Sequence, residues 1–106
     1  MINILHCSGP LCPRSTAQFY IGYARDKAQV AIRIAQHQRG DGARFTQVAV
    51  ERGLTLTLVC LIDGNRTTER QLKRRKNTRK IVDRARRGTL RERVLWHDRM
   101  PEHISI

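Results

Sequence analysis

The segment from Leu54 to Ile62 constrains the fold of this chain more than any other. Leucine and threonine alternate at its start, residues 58–62 form a continuous apolar run, and Asp-Gly-Asn at 63–65 ends it. Strict alternation is typical of a β-strand, and a continuous apolar run indicates that both faces of the strand are buried. We therefore predict that this segment is a strand that pairs in the interior of a sheet.

Two weaker strand patterns and a helical pattern precede this segment. Residues 2–5 and 19–23 are mainly apolar, and the breaker-rich stretch between them predicts a hairpin with a long loop. Apolar residues then recur at helical spacing from Asp26 until Gly-Asp-Gly at 40–42, which predicts a helix of three to four turns. Residues 43–53 fit either a short helix or an irregular cover over the sheet, and we favour the helix.

The sequence after the third strand predicts further helices. The threonines at 67–68 can cap a charged helix that runs to about Lys80, and apolar residues at helical spacing extend it toward Gly88. Residues 89–92 have capping-box spacing and predict a last short helix, with the Val-Leu-Trp sequence at 94–96 facing inward. A chain of 106 residues holds one small domain with a modest core, which excludes a multidomain enzyme.

The net charge of +12 at pH 7 indicates a polyanionic partner, with nucleic acid as the first candidate. Residues 66–106 hold 14 basic and 5 acidic side chains, against 7 and 4 in residues 1–65. Few acids interrupt the basic run and aromatic residues number only five, so backbone contacts to duplex or branched DNA are expected rather than base stacking. The residues predicted to bind nucleic acid are Arg44, Lys73, Arg74, Arg75, Lys76, Arg79 and Lys80.

Membrane and metal-cluster functions are disfavoured. The chain has no run of 18 apolar residues, and its start lacks the basic flank and long apolar stretch of a secretory signal, so we expect a cytoplasmic protein without a membrane partner. Three cysteines at spacings of five and forty-eight match neither a disulfide framework nor a zinc site. Cys7 and Cys60 are predicted to be buried in strands.

The Tyr-Ile-Gly sequence at 20–22 begins a larger pattern of polar residues. Arg33 and His37 follow four residues apart on the predicted helix, and a glycine-containing turn lies at 40–46. Glu69 comes after the third strand, and Asn77 lies eight residues further on. In this order and spacing, residues 2–80 resemble the GIY-YIG nuclease superfamily.

The resemblance implies a small α/β (α+β) domain over residues 1–80, with a three-stranded antiparallel sheet flanked by helices. Residues 81–106 would be a basic helical extension that packs on this domain or continues it. The implied activity is DNA endonuclease, as in repair, recombination or restriction, with Mg²⁺ or Mn²⁺ on Glu69 and no small-molecule cofactor. Arg33 would bind a phosphate and Tyr20 would activate water. His37 would share the proton of that water or bind a phosphate, and Asn77 would orient Tyr20 or close the site.

One position departs from the family pattern and keeps other functions open. The resemblance expects a tyrosine in the first strand where this chain has Asn3, and an amide cannot accept a proton near neutral pH. Tyr23 would point away from Tyr20, because the two are three residues apart on one strand. The alternatives are a non-catalytic DNA-binding module on the same fold and a small basic RNA-binding protein. The oligomeric state and the natural substrate stay open.

Overall fold

A four-stranded antiparallel sheet forms the centre of the molecule. The structure is a computed structural model, and it describes residues 1–9 and 18–98. The strands lie in the spatial order β2-β1-β3-β4, so that β2 and β4 are edge strands. Their bounds are β1 Ile2–Cys7, β2 Phe19–Tyr23, β3 Leu56–Ile62 and β4 Val94–His97. The predicted small α+β fold with an antiparallel sheet is confirmed, and the sheet has one strand more than expected.

Four helices cover the sheet in the described part of the chain. Their bounds are α1 Lys27–Gln38, α2 Arg44–Glu51, α3 Arg66–Arg74 and α4 Thr78–Arg87. The predicted helix after Asp26 is confirmed, and the Asp26 carboxylate accepts a hydrogen bond from the backbone N–H of Gln29 at 2.9 Å, which satisfies a donor of the first turn. The short helix that we favoured for residues 43–53 is also present.

The two sheet faces carry different helices. Helices α3 and α4 pack on one face, where Leu72 and Ile81 meet Ile4 and Ile62 of the interior strands. Helices α1 and α2 lie on the other face, against residues of β3 that include Leu61. Cys7 and Cys60 are free and buried, as predicted. No helix among the described residues is long and apolar enough to cross a membrane.

The prediction of one continuous helix from residue 67 to about Lys80 was wrong, since α3 and α4 are separate. Leu72 and Ile81 both belong to the main core, yet nine residues correspond to about two and a half turns of a helix. A continuous helix would place these side chains on opposite faces. A break at Lys76, with φ of 52°, turns the chain so that both face the sheet. The cap of α3 is Asn65 rather than a threonine.

The predicted last helix was also wrong, because residues 94–97 form β4. The free edge of β3 offers backbone hydrogen bonds to this segment, and β4 pairs with it from Cys60 to Ile62. Only Val94 packs on the core, whereas Leu95 and Trp96 are 36% and 44% exposed. The Glu92 side chain does not cap a helix and instead binds Arg75.

The proposed boundary at residue 80 falls inside α4. Ile81, Val82 and Ala85 are buried in the main core, and β4 completes the sheet. Residues 81–98 are therefore part of the same domain. The prolines of the predicted hairpin loop, within residues 10–17, and the tail at 99–106 lie outside the described residues.

Candidate active site

Tyr20 lies on the edge strand β2, on the sheet face that carries α1 and α2. Its ring centroid is 5.1 Å from that of His37, in an edge-on arrangement, and 5.9 Å from that of Phe45. Burial raises the pKa of the Tyr20 phenol, and the nearby Glu69 carboxylate raises it further. The phenol is therefore protonated near neutral pH and available as a hydrogen-bond donor.

His37 is a buried side chain whose tautomer is set by its neighbours. The Thr46 hydroxyl donates its hydrogen to the carbonyl oxygen of Ala43 at 2.8 Å, and its Oγ1 lies 3.0 Å from His37 Nδ1. Because the hydroxyl hydrogen is already used, Nδ1 must carry the hydrogen of the second bond. The other ring nitrogen, Nε2, then has a free lone pair. Burial lowers the pKa of His37, with Arg33 as a second cause, so the ring is neutral near pH 7.

Gly42 is required for this packing of the imidazole. A Cβ atom at residue 42 would lie 1.9 Å from His37 Nδ1 and 2.6 Å from Cε1, far inside van der Waals contact. The Gly-containing turn after α1 therefore leaves the space that the His37 ring occupies. From the sequence, Thr46 and Gly42 were predicted only as part of a turn. No sequence pattern predicts the hydrogen bond between residue 46 and residue 37.

Arg33 lies one helical turn before His37 on α1, so both side chains leave the helix on the same side. Its Nε atom is buried and has no hydrogen-bond partner among the described residues, and no described carboxylate forms an ion pair with it. Its charge contributes to the lowered pKa of His37 and partly opposes the rise in the pKa of Tyr20. The side chain is half-buried, and a guanidinium whose charge no described carboxylate neutralises favours binding of an anion such as a phosphate.

Glu69 reaches the same region from α3, on the other side of the edge strand. It is 9% exposed, and its Oε2 lies 3.3 Å from Lys73 Nζ, which in turn lies 5.8 Å from the centroid of the Tyr20 ring. The structure thus brings Tyr20, Arg33, His37 and Glu69 together around one end of β2.

Asn77 and Asn3 complete the set of polar residues named from the sequence. Asn77 precedes α4 without capping it, its Oδ1 is buried without a described partner, and no described contact joins it to Tyr20. Asn3 is fully buried across from Gly22, and neither atom of its amide has a partner among the described residues. A Cβ at Gly22 would lie 2.9 Å from Asn3 Oδ1 and 3.1 Å from Tyr20 Cε2, so the amide lies beside the Tyr20 ring.

Among the described residues of the candidate site, Glu69 is the carboxylate that could hold a hard divalent cation. No group of three or more His, Cys, Asp or Glu side chains that could hold a metal occurs in residues 1–9 and 18–98. Mg²⁺ commonly uses one or two carboxylates and takes its other ligands from water and phosphate oxygens, so a single carboxylate suffices. Lys73 would have to yield its contact with Glu69 when such an ion binds.

The residues predicted to bind nucleic acid differ in their surroundings. Arg74, Lys76, Arg79 and Lys80 are exposed around the turn between α3 and α4, and Arg44 is exposed at the start of α2. Lys73 is paired with Glu69. Arg75 differs from the rest, because it forms a two-bond ion pair with Glu92 at 2.7 and 3.3 Å and is held against the protein.

Comparisons of this chain with protein-family models, with curated proteins and with solved structures gave no match.

The lowered pKa of His37 predicts that the protein loses stability in mild acid. Below the ordinary pKa of 6.5 the unfolded chain binds a proton that the folded chain binds only at lower pH, so the free energy of unfolding falls as pH decreases. His6, whose pKa is lowered by burial and by Arg86, acts in the same direction. Urea unfolding between about pH 7.5 and about pH 5.5 measures this slope. His37→Gln should flatten it, and an unchanged slope would contradict the assignment.

Proposed function

We propose that this protein is a metal-dependent nuclease that hydrolyses phosphodiester bonds in DNA. One arrangement carries the proposal: Tyr20 on β2, His37 on α1 and Glu69 on α3 meet at the same edge of the sheet, beside Arg33, which forms no ion pair within residues 1–9 and 18–98. These groups supply a proton acceptor, a hydrogen-bond donor, a carboxylate and a cation, which are the groups that hydrolysis of a phosphate ester requires. The order of the residues along the chain, which resembles the GIY-YIG pattern, supports the same function.

The side chains divide the chemistry between them. Arg33 binds a non-bridging phosphate oxygen, because its guanidinium presents a planar fork of donors and forms no ion pair with a described carboxylate. His37 Nε2 accepts the proton of the attacking water, since the ring is neutral and Thr46 holds the hydrogen on Nδ1. We assign the proton to His37 rather than to Tyr20, because the raised pKa of the phenol disfavours a phenolate. Tyr20 then donates a hydrogen bond to the water or to the phosphate.

Glu69 is the residue that would hold Mg²⁺ or Mn²⁺. A divalent ion at this carboxylate would stabilise the charge that develops on the leaving oxygen. Lys73, released from Glu69, would remain close enough to contact a neighbouring phosphate.

A non-catalytic DNA-binding module is the second candidate. It is favoured by Asn3, which is an amide where the resemblance expects a tyrosine, and by the ion pair that engages Glu69. A basic RNA-binding protein is the third, supported by the net charge of +12 alone. A cytoplasmic location is proposed with each of these functions.

Conversion of supercoiled plasmid to open circles tests the nuclease proposal. We expect the protein to nick the plasmid in Mg²⁺ or Mn²⁺ and to leave it supercoiled in EDTA. Binding of duplex DNA without nicking in either metal would overturn hydrolysis and favour the binding module. Tighter binding of duplex RNA than of duplex DNA at the same salt concentration would contradict both DNA functions.

A further inference from the structure

A second polar site lies on the far side of α3 from Glu69. A cleft of about 510 Å³ separates α3 from the chain segment that leads into β4. Thr68, Gln71 and Arg75 line it from α3, and residues 91–93, Arg-Glu-Arg, line it from the facing segment. We call it the α3 cleft. Its volume is in the range of pockets that accept small ligands, and it is large enough for a phosphodiester group.

The charges that line the α3 cleft are not equally available to a ligand. Arg75 and Glu92 form an ion pair with two hydrogen bonds, and this pairing contributes to the lowered pKa of the Glu92 carboxyl. Arg91 and Arg93 are exposed, and neither forms an ion pair within the described residues. Asp63 is the one other acid on the wall of the cleft. The free charge of the α3 cleft is therefore positive.

The helical repeat of α3 connects the α3 cleft to the candidate active site. Successive residues of an α-helix are rotated by about 100°, so the side chains of α3 divide into sectors. Glu69 and Lys73 lie in the sector that faces Tyr20, while Gln71 and Arg75 lie in the sector that lines the cleft. The exposed sector between these two carries only cations and a hydroxyl, namely Arg66, Arg70, Arg74 and Thr67.

We propose that the α3 cleft binds backbone phosphates of a polynucleotide strand that leaves the candidate active site and crosses α3. Arg70 and Arg74 contact the strand on the outer surface of the helix, and Arg91 and Arg93 hold its next phosphates in the cleft. Guanidinium groups suit this role because each presents a planar fork of donors to phosphate oxygens. The proposal rests on the proposed function for the identity of the partner, but not on hydrolysis.

Binding measured without metal tests the proposal separately from cleavage. The double variant Arg91→Ala/Arg93→Ala removes two exposed cations and leaves the Arg75–Glu92 pair intact. Its matched control is Lys27→Ala/Arg52→Ala, which removes two exposed cations from α1 and the end of α2. Fluorescence anisotropy of a labelled duplex of about 20 base pairs, in EDTA and at several salt concentrations, gives Kd and its salt dependence.

We expect the cleft variant, Arg91→Ala/Arg93→Ala, to raise Kd about 10-fold. The magnitude of the slope of log K against log salt should fall by about 2, because about one counterion stays on the DNA for each phosphate contact that is lost. The control variant should change both quantities much less. Arg70→Ala/Arg74→Ala, on the outer surface of α3, should weaken binding in the same way as the cleft variant. Urea unfolding checks that each variant remains folded.

Equal Kd values for the cleft and control variants would overturn the proposal. Competition by inorganic phosphate, or equally tight binding of a fragment of about four nucleotides, would also overturn it, because the cleft would then bind a small anion rather than a long strand. Failure of the proposed hydrolysis has a different signature: the parent protein would bind DNA, and the cleft variant would bind it more weakly, without any nicking in Mg²⁺.

Discussion

Glu69→Gln is expected to lower the rate of Mg²⁺-dependent DNA cleavage by about 100- to 1000-fold. The substitution keeps the size of the side chain and removes the carboxylate that, among the described residues, acts on Tyr20. A divalent cation contributes several kcal/mol to the stabilisation of a phosphoryl transition state, and each 1.4 kcal/mol is about tenfold in rate. Single-turnover cleavage of a labelled duplex, with protein in excess, measures the change in the chemical step.

Stability should be nearly unaffected by this substitution. In the described part of the chain Glu69 forms an ion pair with Lys73, whose side chain is 49% exposed, so the lost ion pair costs within about 1 kcal/mol. Glu51→Gln, at the exposed end of α2, changes the net charge equally and should leave the cleavage rate at the parent value. Parent-like cleavage by the Glu69 variant at every Mg²⁺ concentration would exclude this carboxylate as the metal ligand.

Gly42→Ala is expected to be destabilising and to abolish most activity. The added Cβ would occupy the position of the His37 imidazole, 1.9 Å from Nδ1, so the ring or the backbone of the turn must move. Overpacking of this kind costs about 1–3 kcal/mol, and displacement of a proton acceptor by about 1 Å costs about 100-fold in rate. Urea unfolding and single-turnover cleavage measure the two effects.

Substitutions of Thr46 separate loss of the hydrogen bond from loss of the fold. Thr46→Val keeps the shape of a fully buried side chain but leaves His37 Nδ1–H without an acceptor, at a cost of about 1–3 kcal/mol. Thr46→Ser restores the hydroxyl and should restore cleavage. If the valine variant folds and cleaves like the parent, the assigned tautomer of His37 does not contribute to catalysis.

The regular elements with strong local patterns were predictable from sequence. The alternation and apolar run in β3 identified an interior strand, and the spacing of apolar residues with Asp26 as a cap identified α1. Alternation, helical spacing and capping follow from the local geometry of a strand or a helix, so these elements can be predicted without knowing which distant residues they contact.

The errors arose where tertiary contacts overrode local pattern. Capping-box spacing predicted a helix after residue 88, but pairing with the edge of β3 and the ion pair between Glu92 and Arg75 favour a strand there. The spacing of the apolar residues from α3 to α4 already indicated two helices rather than one. Leu72 and Ile81 differ by half a turn in phase, which is incompatible with burial on one face of a single helix.

The candidate site was predictable in its residue types but not in its hydrogen bonds. The order of Tyr20, Arg33, His37 and Glu69 suggested that they converge, and the structure places them around one end of β2. The support from Thr46 and Gly42 depends on how the turn after α1 folds back over the helix, which a linear pattern does not reveal. The raised pKa of Tyr20 likewise depends on burial.

The central position of β1 bears on how the chain folds. β1 lies between β2 and β3, and its pairing of Ile2 with Ile62 joins residues sixty positions apart. Closing so long a loop costs conformational entropy before the paired strands form any hydrogen bonds. Folding is therefore expected to be slower than that of a helical bundle of the same size. Because an isolated two-stranded hairpin is marginally stable in water, we expect β2, the edge strand that carries Tyr20, to become stably ordered only when β3 pairs with β1.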